Sequence, residues 1–440
     1  MARSAQKRHT AKKNHAQVSP SSLSALASDF VTVQDQLSYV LPWSIDDQAL
    51  TCFMTYDISS SIFEKYLPSL YKQDSLIQDA LSSAIQAVSF ATFALQVRDH
   101  KYTSMGRRQY SQALIQTNIA LTNPETAVLD RTLAAILLLA LFESVVFEGK
   151  ISLENWTAHT LGVVELLKLR GLRKFESSIS QILFAHAGYN IRTSCIRRAV
   201  AVPADLVTLN ERAMKLFQAV DINTQLSSII DKTASLKTRL RSTADASNLM
   251  YEALEVDQDA ANLMETVHPR FRLRVLSNEE TVSWAYTNTA HAYPNRCLAR
   301  FWNIWRIFRM VLNEIVWVGA SEATKDLKAQ TLPHNLDPLA SEIENFARLQ
   351  DYAEKVIVKT IEDILCSIPM FIDPDSACEG FTPSARSLFW PLSVLQRNHL
   401  CPPAAKDYAV AFLDRLGVDL NMPHAARAAK ARVDEGEEDW

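Results

Sequence analysis

Residues 124–171 read PETAVLDRTLAAILLLALFESVVFEGKISLENWTAHTLGVVELLKLRG, and this stretch decides the fold class. Apolar side chains occupy nearly every position from residue 133 to residue 146, so they cover all sides of a helix, as in a helix buried among others. The uninterrupted apolar run, residues 133–142, is too short to cross a membrane, which takes about 20 residues. The stretch therefore predicts a buried helix of a globular protein.

A second helix is predicted directly after the first, and the two are expected to form a helical hairpin. Gly149 ends the first helix, and Ser152 or Asn155 is placed to cap the second. Gly171 stands where a left-handed C-cap belongs, because glycine adopts a positive φ without steric strain. Arg170 lies in the preceding turn, where a cation interacts favourably with the helix dipole.

Five residues of this hairpin are predicted to have a structural role. His159 is expected to face Glu143 and to form a buried, charge-assisted hydrogen bond that fixes how the helices cross. Contact of His159 with a ligand is the alternative. Trp156 is expected to help hold the same geometry, while Asp130 and Gly171 mark the two ends of the hairpin.

The order of these signals resembles the regulatory region of fungal-specific transcription factors, which lies downstream of a binuclear zinc-cluster DNA-binding domain. The matching signals are Leu129-Asp130-Arg131-Thr132-Leu133, the aliphatic block that ends in Leu141-Phe142-Glu143, then Trp156, His159, Gly162 and the closing Leu167-Lys168-Leu169-Arg170-Gly171. The resemblance extends over about residues 40–425. It implies a nuclear protein that regulates transcription in a fungus, for example of a biosynthetic gene cluster or a nutrient pathway.

Composition agrees with a helical protein. The chain of 440 residues has 48% hydrophobic residues and only 9 glycines, so sheet-rich folds with many tight turns and glycine-rich phosphate loops are disfavoured. We predict an all-α, multi-helix array of roughly 12–16 helices, with no sheet of consequence and with disordered tails. The predicted divisions are a basic arm at residues 1–28, the helical domain at 29–425 and an acidic tail at 426–440.

An aromatic and arginine-rich stretch at residues 284–318 is the second strong pattern. Beyond Pro294, apolar side chains recur at helical spacing, at Phe301, Trp305, Phe308, Leu312 and Ile315. This spacing predicts a core helix, with arginines that lie off the buried face and snorkel or pair. A stacking platform for single-stranded nucleic acid is the alternative. A loop is predicted to follow from Gly319 to about Asp337.

The N-terminus carries the only concentrated basic patch, with no acidic residue before Asp29. Its cations are Arg3, Lys7, Arg8, Lys12 and Lys13. We predict a nuclear-import signal or a phosphate-contacting arm. A merely solvated terminus and a mitochondrial presequence are the alternatives, although the arm has no amphipathic face. The acidic C-terminal tail is expected to be solvated, with a small activating segment as the alternative.

The cysteines and the catalytic signatures exclude several classes of protein. No two of the six cysteines lie closer than 12 positions, so sequence-local ligands cannot build a binuclear zinc cluster. The thiols are expected to be reduced and mostly buried. The sequence has no nucleophile elbow, no H-E-x-x-H, no P-loop and no dinucleotide fingerprint. We therefore predict no enzyme, no cofactor and no metal.

The resulting hypothesis is a nuclear regulator that acts through the transcription machinery or a DNA-binding partner protein, as a homodimer or heterodimer. With a net charge of -4, DNA contact is expected to be weak and local, and no membrane association is expected. A cytoplasmic scaffold or adaptor is one alternative. A small-molecule sensor, with its ligand between the hairpin and the aromatic helix, is another. An upstream exon that encodes a zinc cluster would instead make the protein a conventional DNA-binding factor.

Overall fold

The computed structural model describes residues 43–59, 61–71, 79–146, 153–171, 177–216, 222–242, 246–276, 279–330, 340–372 and 382–430. The chain divides into two units, Met1–Gln48 and Ala49–Trp440, and the second contains the features discussed below. The predicted basic arm lies outside the described residues. Of the predicted acidic tail, residues 426–430 belong to the last helix, and the remainder also lies outside the described residues.

The first part of the described chain is entirely helical. Its α-helices are α1 Ile45–Cys52, α2 Leu67–Leu70, α3 Ala80–Val97, α4 His100–Thr122, α5 Pro124–Ala127, α6 Asp130–Val146, α7 Leu153–Arg170 and α8 Ser178–Arg198. A π-helical turn at Phe53–Asp57 and a 3₁₀ turn at Ile62–Lys65 lie between α1 and α2.

The second part is helical apart from one short hairpin. Its α-helices are α9 Ala204–Leu216, α10 Ile222–Ser242, α11 Ala246–Glu265, α12 Arg296–Gln330, α13 Ala340–Leu365, α14 Phe389–Arg397, α15 Pro403–Asp419 and α16 Pro423–Lys430. Strands β1 Arg274–Leu276 and β2 Ala290–Ala292 pair antiparallel. Turns of 3₁₀ helix span Pro269–Phe271, Tyr286–Asn288, Ile368–Phe371 and Pro383–Leu388. The predicted all-α class is confirmed.

Helix α3 lies at the centre of the N-terminal helices and packs against α4 and α6. Its apolar side chains are buried, with Leu81, Ile85 and Val88 fully enclosed. Asp79 caps its first turn by accepting a hydrogen bond from the Ser82 backbone N–H at 2.9 Å. Because 12 of its 18 residues are buried, α3 is stabilised mainly by packing rather than by its own helix propensity.

The predicted hairpin of α6 and α7 needs correction. Helix α6 packs most extensively against α3 and α4. Helix α7 instead packs against α8 and α9. Apolar side chains cover all sides of α6, so several neighbouring helices bury it and no single partner suffices. Gly171 has a φ of +60°, and its backbone N–H donates to the Lys168 carbonyl at 3.0 Å. The left-handed cap of α7 is therefore as predicted.

Helix α12 is the longest element, at 35 residues, and packs against α11 and α13. It continues through Gly319 to Gln330, so the loop predicted to begin at Gly319 is wrong. A Cβ atom on Gly319 would lie 2.5 Å from the Ala246 carbonyl oxygen and 2.7 Å from Cβ of Met250. Glycine is present because α11 crosses here at close range, and this packing outweighs its helix-breaking cost of about 1 kcal/mol.

Candidate functional site

A polar cluster joins the ends of α6, α7 and α8. Arg170, the last residue of α7, is buried and donates from Nη2 to Asp130 Oδ1 at the start of α6. Its Nη1 donates to the Val128 carbonyl at 2.8 Å. The Ser180 hydroxyl, in the first turn of α8, donates to the Asp130 carboxylate at 2.8 Å. Asp130 thus connects three helix ends, as expected for a residue with a structural role.

Arg131 extends the cluster to the start of α3 and the end of α2. Its Nε donates to Asp79 Oδ2 at 2.7 Å, and its Nη1 donates to the Leu70 carbonyl. Burial opposes ionisation of Asp79, but hydrogen bonds from Ser82 and Arg131 outweigh it and hold the pKa of Asp79 below its ordinary value. Asp79, Asp130, Arg131, Arg170 and Ser180 are called the ionic junction below.

The neighbouring threonine completes this arrangement. The Thr132 hydroxyl donates to the Thr126 carbonyl at 2.7 Å, which ties α6 to the short helix α5. In the Asp130-Arg131-Thr132 motif, Asp130 therefore pairs with side chains, while Arg131 and Thr132 satisfy backbone carbonyl groups at the ends of α2 and α5. Such groups have no partner within their own helix, so the motif joins helices at their ends and supplies no reactive group.

The predicted contact between Glu143 and His159 is wrong. Glu143 accepts a hydrogen bond from the Tyr110 hydroxyl of α4 at 2.6 Å, and Tyr110 stacks on Phe142 with ring centroids 4.6 Å apart. His159 is exposed on α7. Because α6 packs on α4, a residue of α4 takes the place that we assigned to α7. The side chain of Trp156 lies outside the described residues.

A second polar cluster lies in the core around α12. Arg306 is fully buried, and its Nη1 donates to the Tyr293 hydroxyl at 2.8 Å and to Asn303 Oδ1 at 2.9 Å. Asp363 of α13 lies 3.8 Å from Arg306 Nε and 3.9 Å from His291 Nε2. Burial and the nearby Arg306 charge lower the pKa of His291 to about 4, so its imidazole is neutral at pH 7. These five residues are called the arginine network.

A buried ion pair lies about one turn further along α12. Arg309 donates from Nε and Nη2 to the two carboxylate oxygens of Asp257 on α11, at 2.7 and 2.8 Å. Asp257 is 0% exposed, and Tyr352 of α13 also lies beside it. Trp305 Nε1 donates to the Ala260 carbonyl at 2.9 Å. The predicted pairing of arginines is confirmed for Arg309.

The predicted core helix is confirmed, whereas the predicted placement of one arginine is wrong and the alternative function of the aromatic face is excluded. Arg306 lies in the interior and not off the buried face, because Tyr293 and Asn303 accept its protons there. The aromatic face is not a stacking platform for nucleic acid, because Trp305 and Phe308 are buried. Local spacing gave no sign of Arg306, His291 or Asp257 as buried polar residues, since their partners are distant in the sequence.

One carboxyl group on α12, that of Glu314, has a raised pKa. Glu314 accepts a hydrogen bond from Asn398 Nδ2, in the turn between α14 and α15. Burial raises the pKa of Glu314 to about 7, although the charge of Lys237 on α10 acts in the opposite direction. Glu314 is therefore partly protonated near neutral pH, unlike an ordinary glutamate.

The cysteines of the described chain are free thiols, as predicted for a reduced protein. Cys195, Cys366 and Cys401 are buried, Cys52 and Cys297 are partly buried, and Cys378 lies outside the described residues. Burial raises the pKa of the Cys195 thiol to about 12, so this thiol is not a reactive thiolate. Among the described residues, no group of histidine, cysteine or acidic side chains is placed to hold a metal ion.

One described helix, Ala80–Val97, is long and apolar enough to cross a membrane by length and composition alone. In the structure, 67% of it is buried within the protein. It is α3, whose apolar residues face α4 and α6. Its hydropathy is thus explained by its central place among the N-terminal helices.

The ionic junction lies within a stretch that matches the model of a known protein family. Residues 45–196 match the fungal specific transcription factor domain. Proteins with this domain are transcriptional regulators in general, and the family is not enzymatic. No curated protein and no solved structure matches the chain at a significant level. The resemblance to fungal transcription factors is therefore confirmed over residues 45–196.

Proposed function

We propose that this protein regulates transcription in the nucleus of a fungus, acting through the transcription machinery or a DNA-binding partner protein. The observation that carries the proposal is the match of residues 45–196 to the fungal specific transcription factor domain. A biosynthetic gene cluster or a nutrient pathway is the proposed class of target. Direct DNA contact is proposed to be secondary, because the net charge of -4 gives no overall attraction to DNA.

The organisation of the helical unit supports a regulatory role over a catalytic one. Its buried polar groups mostly bind one another across helix contacts, as in the ionic junction and the Arg309–Asp257 pair. Such pairs set how helices are arranged. Within the described part of the chain, one hydrophobic core cluster has members from Phe53 to Ala425, so the matched domain and the later helices are proposed to work as one regulatory body.

Gene deletion tests the transcriptional role. We expect deletion to change the transcripts of a defined set of genes, and re-expression of the chain to restore them. Transcript sequencing across the genome, in several nutrient conditions, is the measurement. Unchanged transcripts in all conditions would contradict the proposal and favour a scaffold or adaptor role.

Localisation is tested with the basic arm. Replacing Arg3, Lys7, Arg8, Lys12 and Lys13 by alanine should move a fluorescent fusion out of the nucleus. The matched control replaces exposed cations of α13, Arg348 and Lys355, and should leave the fusion nuclear. If neither the intact fusion nor a reporter that carries the arm enters the nucleus, the arm is not an import signal.

A further inference from the structure

Helix α4 carries two stripes of side chains with the same spacing, and its own protein covers only the first of them. The inner stripe packs on α3 and α6. A Cβ atom on Gly106 would lie 3.0 Å from the Ala87 carbonyl oxygen, and the Tyr110 hydroxyl donates to Glu143 at 2.6 Å. The members of the inner stripe are Gly106, Tyr110, Ala113 and Thr117.

The second stripe, called the outer seam below, is exposed along its whole length. It is displaced from the inner stripe by two positions, or about 200° around the helix. Its apolar part is Ile115, which is 56% exposed, and Ile119, which is 64% exposed. Successive members are alternately four and three positions apart, so they lie along one side of α4. The members of the outer seam are Arg108, Gln112, Ile115, Ile119 and Thr122.

The spacing of the outer seam is that of a helix–helix contact. Alternation of four and three positions is the repeat by which one helix lays a continuous line of side chains against another. Ile115 and Ile119 are neighbours in this line, so they form one apolar patch rather than two scattered side chains. Isoleucine is also a poorer helix former than leucine, so helix propensity does not explain the exposed pair. The outer seam therefore has the properties of a docking surface for one further helix.

The charges along α4 indicate which helix would fit this surface. The first half of α4 carries Lys101, Arg107 and Arg108, and the helix contains no acidic residue. Glu125 is exposed just beyond its C-terminal end, at the start of α5. Among the described residues, neither Arg108 nor Glu125 takes part in an ion pair. A positive start and a negative end complement each other when two copies of α4 lie antiparallel.

We propose that the outer seam is a contact between two copies of this chain, with their α4 helices antiparallel about a two-fold axis midway between Ile115 and Ile119. Ile115 of each copy then lies against Ile119 of the other, and Gln112 lies opposite Thr122. The Thr122 hydroxyl donates to its own Ile119 carbonyl at 2.7 Å, so its oxygen is placed to accept a hydrogen bond from the Gln112 amide. The same surface thus meets itself, as in a two-fold symmetric dimer.

The orientation follows from the charges at the two ends of the seam. Arg108 lies seven positions before Ile115, and Glu125 lies six positions after Ile119, so each is about 10 Å along the helix from the apolar patch. The antiparallel arrangement brings Arg108 of one copy close to Glu125 of the other. A parallel arrangement would place Arg108 beside Arg108, and like charges repel. From Arg108 to Thr122 the seam is about 21 Å long, so we expect a weak, concentration-dependent dimer.

Sedimentation equilibrium of the purified full chain, from about 1 to about 200 μM, tests the contact. We expect a dissociation constant on the order of 10 μM. Ile119→Glu should weaken association at least about 100-fold, because the two-fold axis would bring two carboxylates into the apolar patch. The matched control is Leu161→Glu, at a 49% exposed position of α7, and it should leave association unchanged.

Thermal unfolding at about 1 μM, where the chain is expected to be monomeric, separates loss of association from loss of folding. Both replaced side chains are exposed, so Ile119→Glu and Leu161→Glu should unfold within a few degrees of the parent.

Two charge exchanges test the antiparallel orientation. Arg108→Glu places like charges opposite each other at both ends of the contact, and so does Glu125→Arg. Each variant alone should therefore associate about tenfold more weakly than the parent. When the two variants are mixed, they should associate about as tightly as the parent, because each supplies the charge that the other lacks.

Three results would count against the proposal. A chain that stays monomeric at every concentration would overturn it and leave the outer seam to a different protein. Equal losses from Ile119→Glu and Leu161→Glu would also overturn it, because the contact would not then lie on α4. A mixture of Arg108→Glu and Glu125→Arg that associates no more tightly than either variant alone would overturn the antiparallel arrangement. None of these outcomes depends on the transcriptional role.

Discussion

The ionic junction and the helices around α12 use the same residue types in different ways. In the junction, Asp130 and Asp79 stand at helix starts and remain 25% and 33% exposed. Around α12, Arg306 and Asp257 stand inside long helices and are 0% exposed. Pairs at helix ends satisfy backbone groups that any helix leaves open. Pairs inside helices determine which helix lies beside which, and at what register.

The largest effect is expected from Asp257. Asp257→Ala should lower the free energy of unfolding by about 3–5 kcal/mol, because Arg309, which is 15% exposed, would lose its carboxylate partner inside the helix contact. Urea denaturation followed by circular dichroism is the measurement. Asp257→Asn, which keeps the shape and one acceptor oxygen, should lose less. A loss under about 1 kcal/mol for Asp257→Ala would show that the interior pair is no stronger than an exposed one.

A smaller effect, visible only through its pH dependence, is expected from Glu314. Its pKa is raised from 4.5 to about 7 on folding, so between these values the folded state holds a proton that the unfolded state has lost. The free energy of unfolding should therefore fall by up to about 3 kcal/mol as the pH rises through this window, and the contribution should then stay constant.

Glu314→Gln isolates this contribution, because glutamine still accepts the hydrogen bond from Asn398 but does not titrate. From pH 4.5 to pH 7 the parent should lose stability and the variant should not, so the variant should become more stable relative to the parent. Glu344→Gln, at an exposed position of α13, serves as the control and should show no such trend. A flat difference for Glu314→Gln would mean that the Glu314 carboxyl is ionised throughout the window.

The smallest of the three effects is expected at the ionic junction. Asp130→Ala should lower the free energy of unfolding by about 2 kcal/mol, less than the loss of a fully buried partner, because water reaches the vacated site. The double variant Asp130→Ala, Arg170→Met should recover part of the loss. If Asp130→Ala instead proves as damaging as Asp257→Ala, the contrast between end and interior pairs does not hold.

Sequence reasoning predicted the class of fold and the C-terminal end of α7. The cap at Gly171 and the buried character of α6 depend on residues close together in the chain, so their patterns are visible locally. The pairing of Glu143 with Tyr110 was missed because helix packing, not spacing, decides it. Helix α12 was predicted to stop at Gly319, since nothing local reveals that α11 crosses there.

The same limit applies to the candidate sites. The Asp130-Arg131-Thr132 motif is contiguous and was recognised from its order. The charged members of the arginine network, Arg306, His291 and Asp363, come from α12, β2 and α13, and local spacing marks none of them as a site residue. Only a folded chain brings their charges together, so a site of this kind leaves no pattern in the sequence.

The close crossing at Gly319 also restricts how this protein can change shape. Helices α11 and α12 run antiparallel and meet at three points, Ala246 with Gly319, Asp257 with Arg309 and Ala260 with Trp305. The outer points, Gly319 and Trp305, are 14 residues apart on α12, a span of about 20 Å. Sliding one helix by a turn of about 5.4 Å would break all three at once. These contacts therefore prevent α11 from sliding along α12. A motion that transmits a signal through this part of the protein must rotate the two helices together as one rigid unit.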